Sequence, residues 1–135
     1  MTSNVKLKTA AGIMSLACVI QILSYLYALP GHLNESLWSD HAQFHHVLGW
    51  IWLTGLNIGM LILAWGPLQK GEKWAFWALF AMFIFAHGGH FVASLFVPAG
   101  RPSEGWYDFA IGTMSLIWAV GLGTGWRALN KPTHA

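Results

Sequence analysis

The amino-acid sequence predicts an all-α fold: an integral membrane four-helix bundle with its N- and C-termini cytoplasmic. Three observations carry this expectation. The chain has 135 residues, of which 56% are hydrophobic and only 9% charged. Soluble domains carry about 25% charged residues, so this chain cannot present an ordinary water-facing surface. Four apolar stretches each reach the roughly 20 residues that a helix needs to cross a hydrocarbon core of about 30 Å. The Lys and Arg residues gather at the ends of those stretches. Together these features exclude a disordered chain, a coiled coil and a soluble enzyme. The length allows one transmembrane domain over residues 1–135.

The first span runs from about Thr9 to Leu29 and is expected to end at Pro30-Gly31. The second runs from about His41 to Trp65 and ends at Gly66-Pro67. The third runs from about Trp74 to Val97, before Pro98, and the fourth from about Trp106 to Trp126, before Arg127. Pro and Gly are the residues that stop helices, and they fall at three of these ends. Backbone groups in lipid must be satisfied within the segment, which selects helices. No segment shows the alternation of a membrane barrel. Lys6 and Lys8 precede the first span as in a signal peptide, but its apolar run is long and no A-x-A site follows Leu29, so it reads as a retained helix.

Orientation follows from the basic residues. Lys6, Lys8, Lys70, Lys73, Arg127 and Lys131 fall on one side, and Arg101 on the other. The first side is therefore expected to be cytoplasmic, with segments 30–40 and 98–105 outside. Glu35, Asp40, Glu104 and Asp108 show the opposite bias, against Glu72 inside. Trp38 and Trp106 suit the outer interface; Trp65, Trp74 and Trp126 suit the inner one. The net charge of +2 does not indicate a nucleic-acid partner, because the cations sit at segment ends rather than on one face. The expected surroundings are a lipid bilayer, in a bacterial cytoplasmic (inner) membrane.

Short loops make neighbouring helices antiparallel. Gly55 and Gly59 in the second span, and Gly121 and Gly125 in the fourth, are small-xxx-small pairs that permit close helix approach, within the bundle or to a membrane-protein partner. The lone Cys18 excludes an intrachain disulfide. Gln21 and Asn57 are neutral polar residues within spans and are expected to form structural hydrogen bonds.

The His residues are the most informative feature. His134 falls in the cytoplasmic tail, whereas His32, His41, His45, His46, His87 and His90 all fall in the outer half. His41 and His45 share one helix face, and His87 and His90 share another; His46 points away from His41. At the helical rise, His45 lies about 6 Å below the start of its helix, and His90 and His87 about 10 and 15 Å below the outer end of theirs. His90 is thus the better match in depth to His45.

Imidazole pairs on facing helices can converge on a transition metal (Zn, Cu, Fe or Ni). The expected metal set is His41, His45, His87 and His90, with His32, Asp40 and Asp108 in support around it. Haem is an alternative, with His45 and His90 as axial ligands and Gly88-Gly89 making room for the macrocycle. A chlorophyll-type pigment would need one His and an apolar slot. The same residues can instead form the polar floor of a pocket for a lipid-soluble molecule. The bland alternative is hydrogen bonding across helices, although two ionisable residues in one span mark a functional site by default. There is no phosphate loop, nucleophile elbow or H-E-x-x-H. A reaction is not legible, and a scaffold or accessory subunit of a larger membrane complex is the rival class.

The stretch His32-Leu33-Asn34-Glu35-Ser36-Leu37-Trp38-Ser39-Asp40-His41-Ala42-Gln43-Phe44-His45 resembles an uncharacterised family of small bacterial four-helix membrane proteins. Their pattern is H-L-x-x-x-x-W-x-x-H-A-[RK]-F-H, so Gln43 departs from it, as do Ser39 and Asp40, where the family often has prolines. The resemblance implies four spans and points to His32, His41 and His45; it implies no reaction. The third and fourth spans also resemble, more weakly, the ergosterol-biosynthesis scaffold proteins, at His87-Gly88-Gly89-His90-Phe91 and Ser115-Leu116-Ile117-Trp118. That family has Glu in place of the second His. The likeness implies a tether rather than a catalyst.

Overall fold

The computed structural model of the chain describes residues 3–34, 36–96 and 105–130. Glu35, the Pro98 stop, Arg101, Glu104, Lys131, His134 and the side chain of Trp106, all used above, lie outside the described residues. Helix α1 spans Ser3–Leu33 and α2 Asp40–Trp65, followed by a 3-10 turn at Pro67–Lys70. The third span comprises α3 (Lys73–Phe83), a π-helical turn (Ile84–Gly88) and α4 (Gly89–Phe96), and α5 spans Gly105–Leu129. No strand occurs among the described residues. Four helical stretches among them are long and apolar enough to cross a membrane: Asn4–Leu33, Asp40–Lys70, Lys73–Ala93 and Asp108–Leu129.

Several helix ends follow their local chemistry. Ser39 caps α2 by accepting the Ala42 N–H at 3.3 Å, and Asp40 adds negative charge to its first turn. At the other end Gly66 donates its N–H to Ile62 O at 2.9 Å, and Pro67 then opens the 3-10 turn. Gly71 closes that turn with φ of 79°, a conformation that strains any residue with a Cβ. Gln69 pins the turn to the bundle by donating its side-chain amide to Leu7 O (3.0 Å) and Ala64 O (2.9 Å).

Two expectations need correction. The first helix does not stop at Pro30-Gly31 but continues to Leu33, with Asn34 N–H bonded to Pro30 O at 3.1 Å. A proline in the last turn forfeits only one backbone bond, so the helix survives it. The third span is not one regular α-helix either. Its π turn inserts an extra residue beside Gly88-Gly89, and such turns recur at functional sites. α2 matches its expected span to one residue, and α5 runs from Gly105 to Leu129, a few residues past the apolar run that predicts it.

The helices pack as a ring in which α1 lies between α2 and α5, and α3 closes it against α2 and α5. α4 packs closely on none of the others. The register is antiparallel: Trp65 Nε1–H donates to Ser15 Oγ at 2.8 Å, and Gly125 faces Ala10. One end of the bundle therefore carries the start of α1, the turn after α2 and the end of α5, with Lys6, Lys8, Lys70, Lys73 and Arg127; we call it the basic end.

Burial is unevenly distributed along the bundle. The buried hydrophobic side chains are Leu7 to Cys18 in α1, Met60 to Leu68 after Asn57, Ala75 to Leu79 in α3 and Trp118 to Ala128 in α5. All lie on the basic-end side of Gln21, Asn57, His87 and Ser115. Among the described residues the far half contains no fully buried hydrophobic side chain. Large apolar side chains such as Leu23, Tyr27, Trp52, Ile62, Phe85 and Leu116 are exposed along all four stretches. Such coverage far exceeds the isolated patches that water-soluble monomers tolerate.

Candidate functional site

Where the packed half meets the open half, each of the four stretches contributes a polar residue. Gln21 (6% exposed) and Asn57 (1%) are buried against each other, with Asn57 Nδ2 donating to Gln21 Oε1 at 3.1 Å and to Leu53 O at 2.9 Å. His87 (4% exposed) lies in the π turn, with its Nδ1 3.1 Å from Ser115 Oγ of α5. Gly125 faces Ala10 and Gly121 faces Met14. Carried one turn or two further, that register brings Gln21 level with Ser115 to within about a residue. Gln21, Asn57, His87 and Ser115 thus form one layer.

Proton counting defines the chemistry of His87. Ser115 Oγ lies 2.8 Å from Ile111 O, and a carbonyl only accepts, so the single hydroxyl proton is donated there. The 3.1 Å contact must then be His87 Nδ1–H donating to Ser115 Oγ. In neutral imidazole the other nitrogen is a bare acceptor. His87 Nε2 is buried without a partner among the described residues, as are Asn57 Oδ1 and Trp118 Nε1. Trp118, itself 0% exposed, stands 6.5 Å from His87 between ring centroids. The layer therefore holds two unused acceptors, with one unused donor, Trp118 Nε1–H, just beneath it on the packed side. Leaving a buried polar group unpaired costs about 1–3 kcal/mol, a cost that a bound group could recover.

The expected four-His metal set is not brought together. His41 and His45 meet edge to face, ring centroids 4.4 Å apart, and both are exposed. His87 and His90 do share a direction, but they face α5 rather than the His41/His45 face of α2. His87 meets Ser115, and His90 Nε2 meets Asp108 Oδ1 at 3.4 Å; those two α5 residues are seven apart on one face. Of the expected haem pair, His45 packs on His41 and Phe44, and His90 on Phe91 beside Asp108. Among the described residues no three His, Cys, Asp or Glu side chains are arranged to hold a metal ion. The physical reason is that α4 stands apart from α2, so depth matching alone did not make the two His pairs meet.

The supporting residues distribute similarly. Asp108 pairs with His90, Asp40 is exposed in the first turn of α2, and His32 belongs to a separate aromatic cluster. In that cluster His32 stacks on Trp38 at 5.1 Å and meets His46 at 4.4 Å, so His46 does face a neighbour different from that of His41. Of the glycines, Gly121 and Gly125 face α1 and Gly59 faces Met82 of α3, whereas nothing stands within 4 Å of a Cβ at Gly55.

Ser115 as the partner of His87 was missed from the sequence, as was the union of Gln21 and Asn57 with them into one layer. The available signal was one polar residue per span at matching depth. No family model, curated protein or solved structure matches the chain. Its class rests on its own features: an all-helical protein with four span-length apolar helices and a buried polar layer between a packed and an open half.

Proposed function

We propose that the chain is a multi-pass protein of a bacterial cytoplasmic membrane, with both termini cytoplasmic, that binds a lipid-soluble small molecule in its outer half. The single observation that supports this most is the buried, unpartnered Nε2 of His87. A ligand hydroxyl or N–H would donate to it, and the aliphatic or aromatic body would occupy the loosely packed far half beside His90 and Asp108. Ionisable groups within spans are costly and are kept where they serve a ligand or proton.

The test is mass spectrometry of an organic extract of protein purified in mild detergent, with elemental analysis in parallel. The wild type is expected to carry about one hydroxyl- or N–H-bearing apolar compound per chain, as a one-site complex, and His87→Leu to lose it. Once the ligand has been removed from the wild type, melting of the two proteins should differ little. Ser115 keeps its bond to Ile111, and removing an unpaired nitrogen offsets the lost interhelical bond of about 0.6 kcal/mol. Retention of the same compound by His87→Leu, or a stoichiometric transition metal in place of any organic ligand, would sink this reading.

Orientation is checked separately by an impermeant thiol reagent on intact cells, in a Cys18→Ala background. Glu35→Cys and Ser103→Cys are expected to label from outside, and Lys70→Cys only after lysis. Outside labelling at position 70 would invert the topology. Lys70 is exposed and avoids the strained Gly71 position.

A second reading, a scaffold or accessory subunit, is favoured by the open notch at Gly55 among the exposed Ile51, Trp52 and Ile58 of α2. A partner helix could approach closely there. Gly55→Leu releasing a co-purified membrane protein would favour it.

A further inference from the structure

On the opposite, packed half of the bundle, a groove of about 370 Å³ runs between α3 and α5. Phe76, Trp77, Phe80 and Phe83 line one wall, and Gly123 and Trp126 belong to the other. Trp126 lies 5.0 Å from Phe76 and 5.6 Å from Trp77 between ring centroids, closing the basic end of the groove with three aromatic rings. Lys73 precedes Phe76 and Trp77 by one turn, and Arg127 follows Trp126 directly. Both cations are exposed, and the His90–Asp108 pair lies far from them. The nearby Glu72 carboxylate accepts the Trp74 indole N–H.

The geometry points to a binding site for an anionic phospholipid, its phosphate held between Lys73 and Arg127 and one acyl chain lying along the aromatic groove toward Phe83. Charge complementarity selects this occupant over a neutral lipid. Arg presents a planar fork of donors to phosphate and Lys a mobile point charge, and basic sites between helices on the cytoplasmic side bind such headgroups. The indoles of Trp77 and Trp126 are amphipathic and suit the depth where headgroup meets chain. Gly123 leaves the groove open: nothing stands within 4 Å of a Cβ there, so a side chain at that position would fill the groove without disturbing the core. The site is independent of His87 and rests only on the membrane-spanning reading.

The experiment is native mass spectrometry of the full chain in neutral detergent, titrated with phosphatidylglycerol or phosphatidylcholine of identical acyl chains. Phosphatidylglycerol is expected to bind about twenty-fivefold more tightly, two cations each contributing roughly a factor of five. Lys73→Gln/Arg127→Gln should erase that preference, and Gly123→Leu should abolish binding of either lipid, with unchanged melting in detergent for both. Millimolar inorganic phosphate should not displace the lipid. Equal binding of the two lipids, unaltered binding by Gly123→Leu, or displacement by phosphate alone each overturns the proposal. So does a wild-type dimer that Gly123→Leu converts to monomer, because a second copy would then be the occupant. Failure of membrane insertion itself is distinguishable, since alkaline carbonate would then extract the protein whatever lipid it binds.

Discussion

Gly121→Leu is expected to destabilise the protein by about 3 kcal/mol, at the upper end of what overpacking a close contact costs. A Cβ at Gly121 would stand 2.6 Å from Met14 Cγ and 3.3 Å from the backbone oxygen of Ala10. Met14 is only 1% exposed, so its side chain has nowhere to go, and the Ala10 carbonyl is fixed by its own helix. The two helices must separate, and the core formed by Ala10, Met14, Trp118 and Leu122 opens with them. Thermal unfolding in detergent micelles reads the loss. Gly123→Leu, two residues away on the same helix with open space around its Cβ, is the matched control and should melt with the wild type. Equal melting of Gly121→Leu and the wild type would mean that α1 and α5 do not pack through this glycine.

The second large effect is expected in the polar layer. Asn57→Leu removes the donor to Gln21 Oε1 and leaves a buried amide unpaired, which should cost about 1–2 kcal/mol. Gln21→Leu/Asn57→Leu, which removes both partners and substitutes apolar groups of similar size, should be more stable than Asn57→Leu alone. Contacting residues couple in this way, whereas independent ones add. A double mutant whose loss equals the sum of the two single losses would show that the amides do not meet. The pair also lies in the layer of His87, so a ligand seated there should protect the wild type and protect Asn57→Leu less.

Much of the secondary structure was legible because its causes are local. Four apolar runs of spanning length became four helical stretches. Gly66-Pro67 ended α2 because Pro67 has no N–H to continue the ladder and opens a 3-10 turn instead. Pro30 misled because its effect depends on position, harmless in a final turn and disruptive in mid-helix. The π turn at Ile84–Gly88 was not legible: Phe, Ala, His and Gly there have no pattern that separates it from a continuous helix.

The site was legible only in part. His87 and His90 were found because ionisable residues are rare in apolar stretches, and their shared direction followed from spacing. What they face did not follow. These helices are apolar nearly all round, so no polar face fixes their rotation, and hydropathy does not choose among the ways of turning them. Side-chain fit settled it: the absent Cβ of Gly121 drew α5 onto α1, which placed Ser115 in front of His87 and Asp108 in front of His90. With α4 standing off from α2, His41 and His45 were left to each other and His32 to Trp38 and His46. Length, span number and the polar residue in each span are properties of the sequence by itself, because hydration and backbone bonding act residue by residue. Which acceptor is left without a donor is a property of the packed tertiary structure, because it depends on pairs of side chains that the chain brings together from far apart.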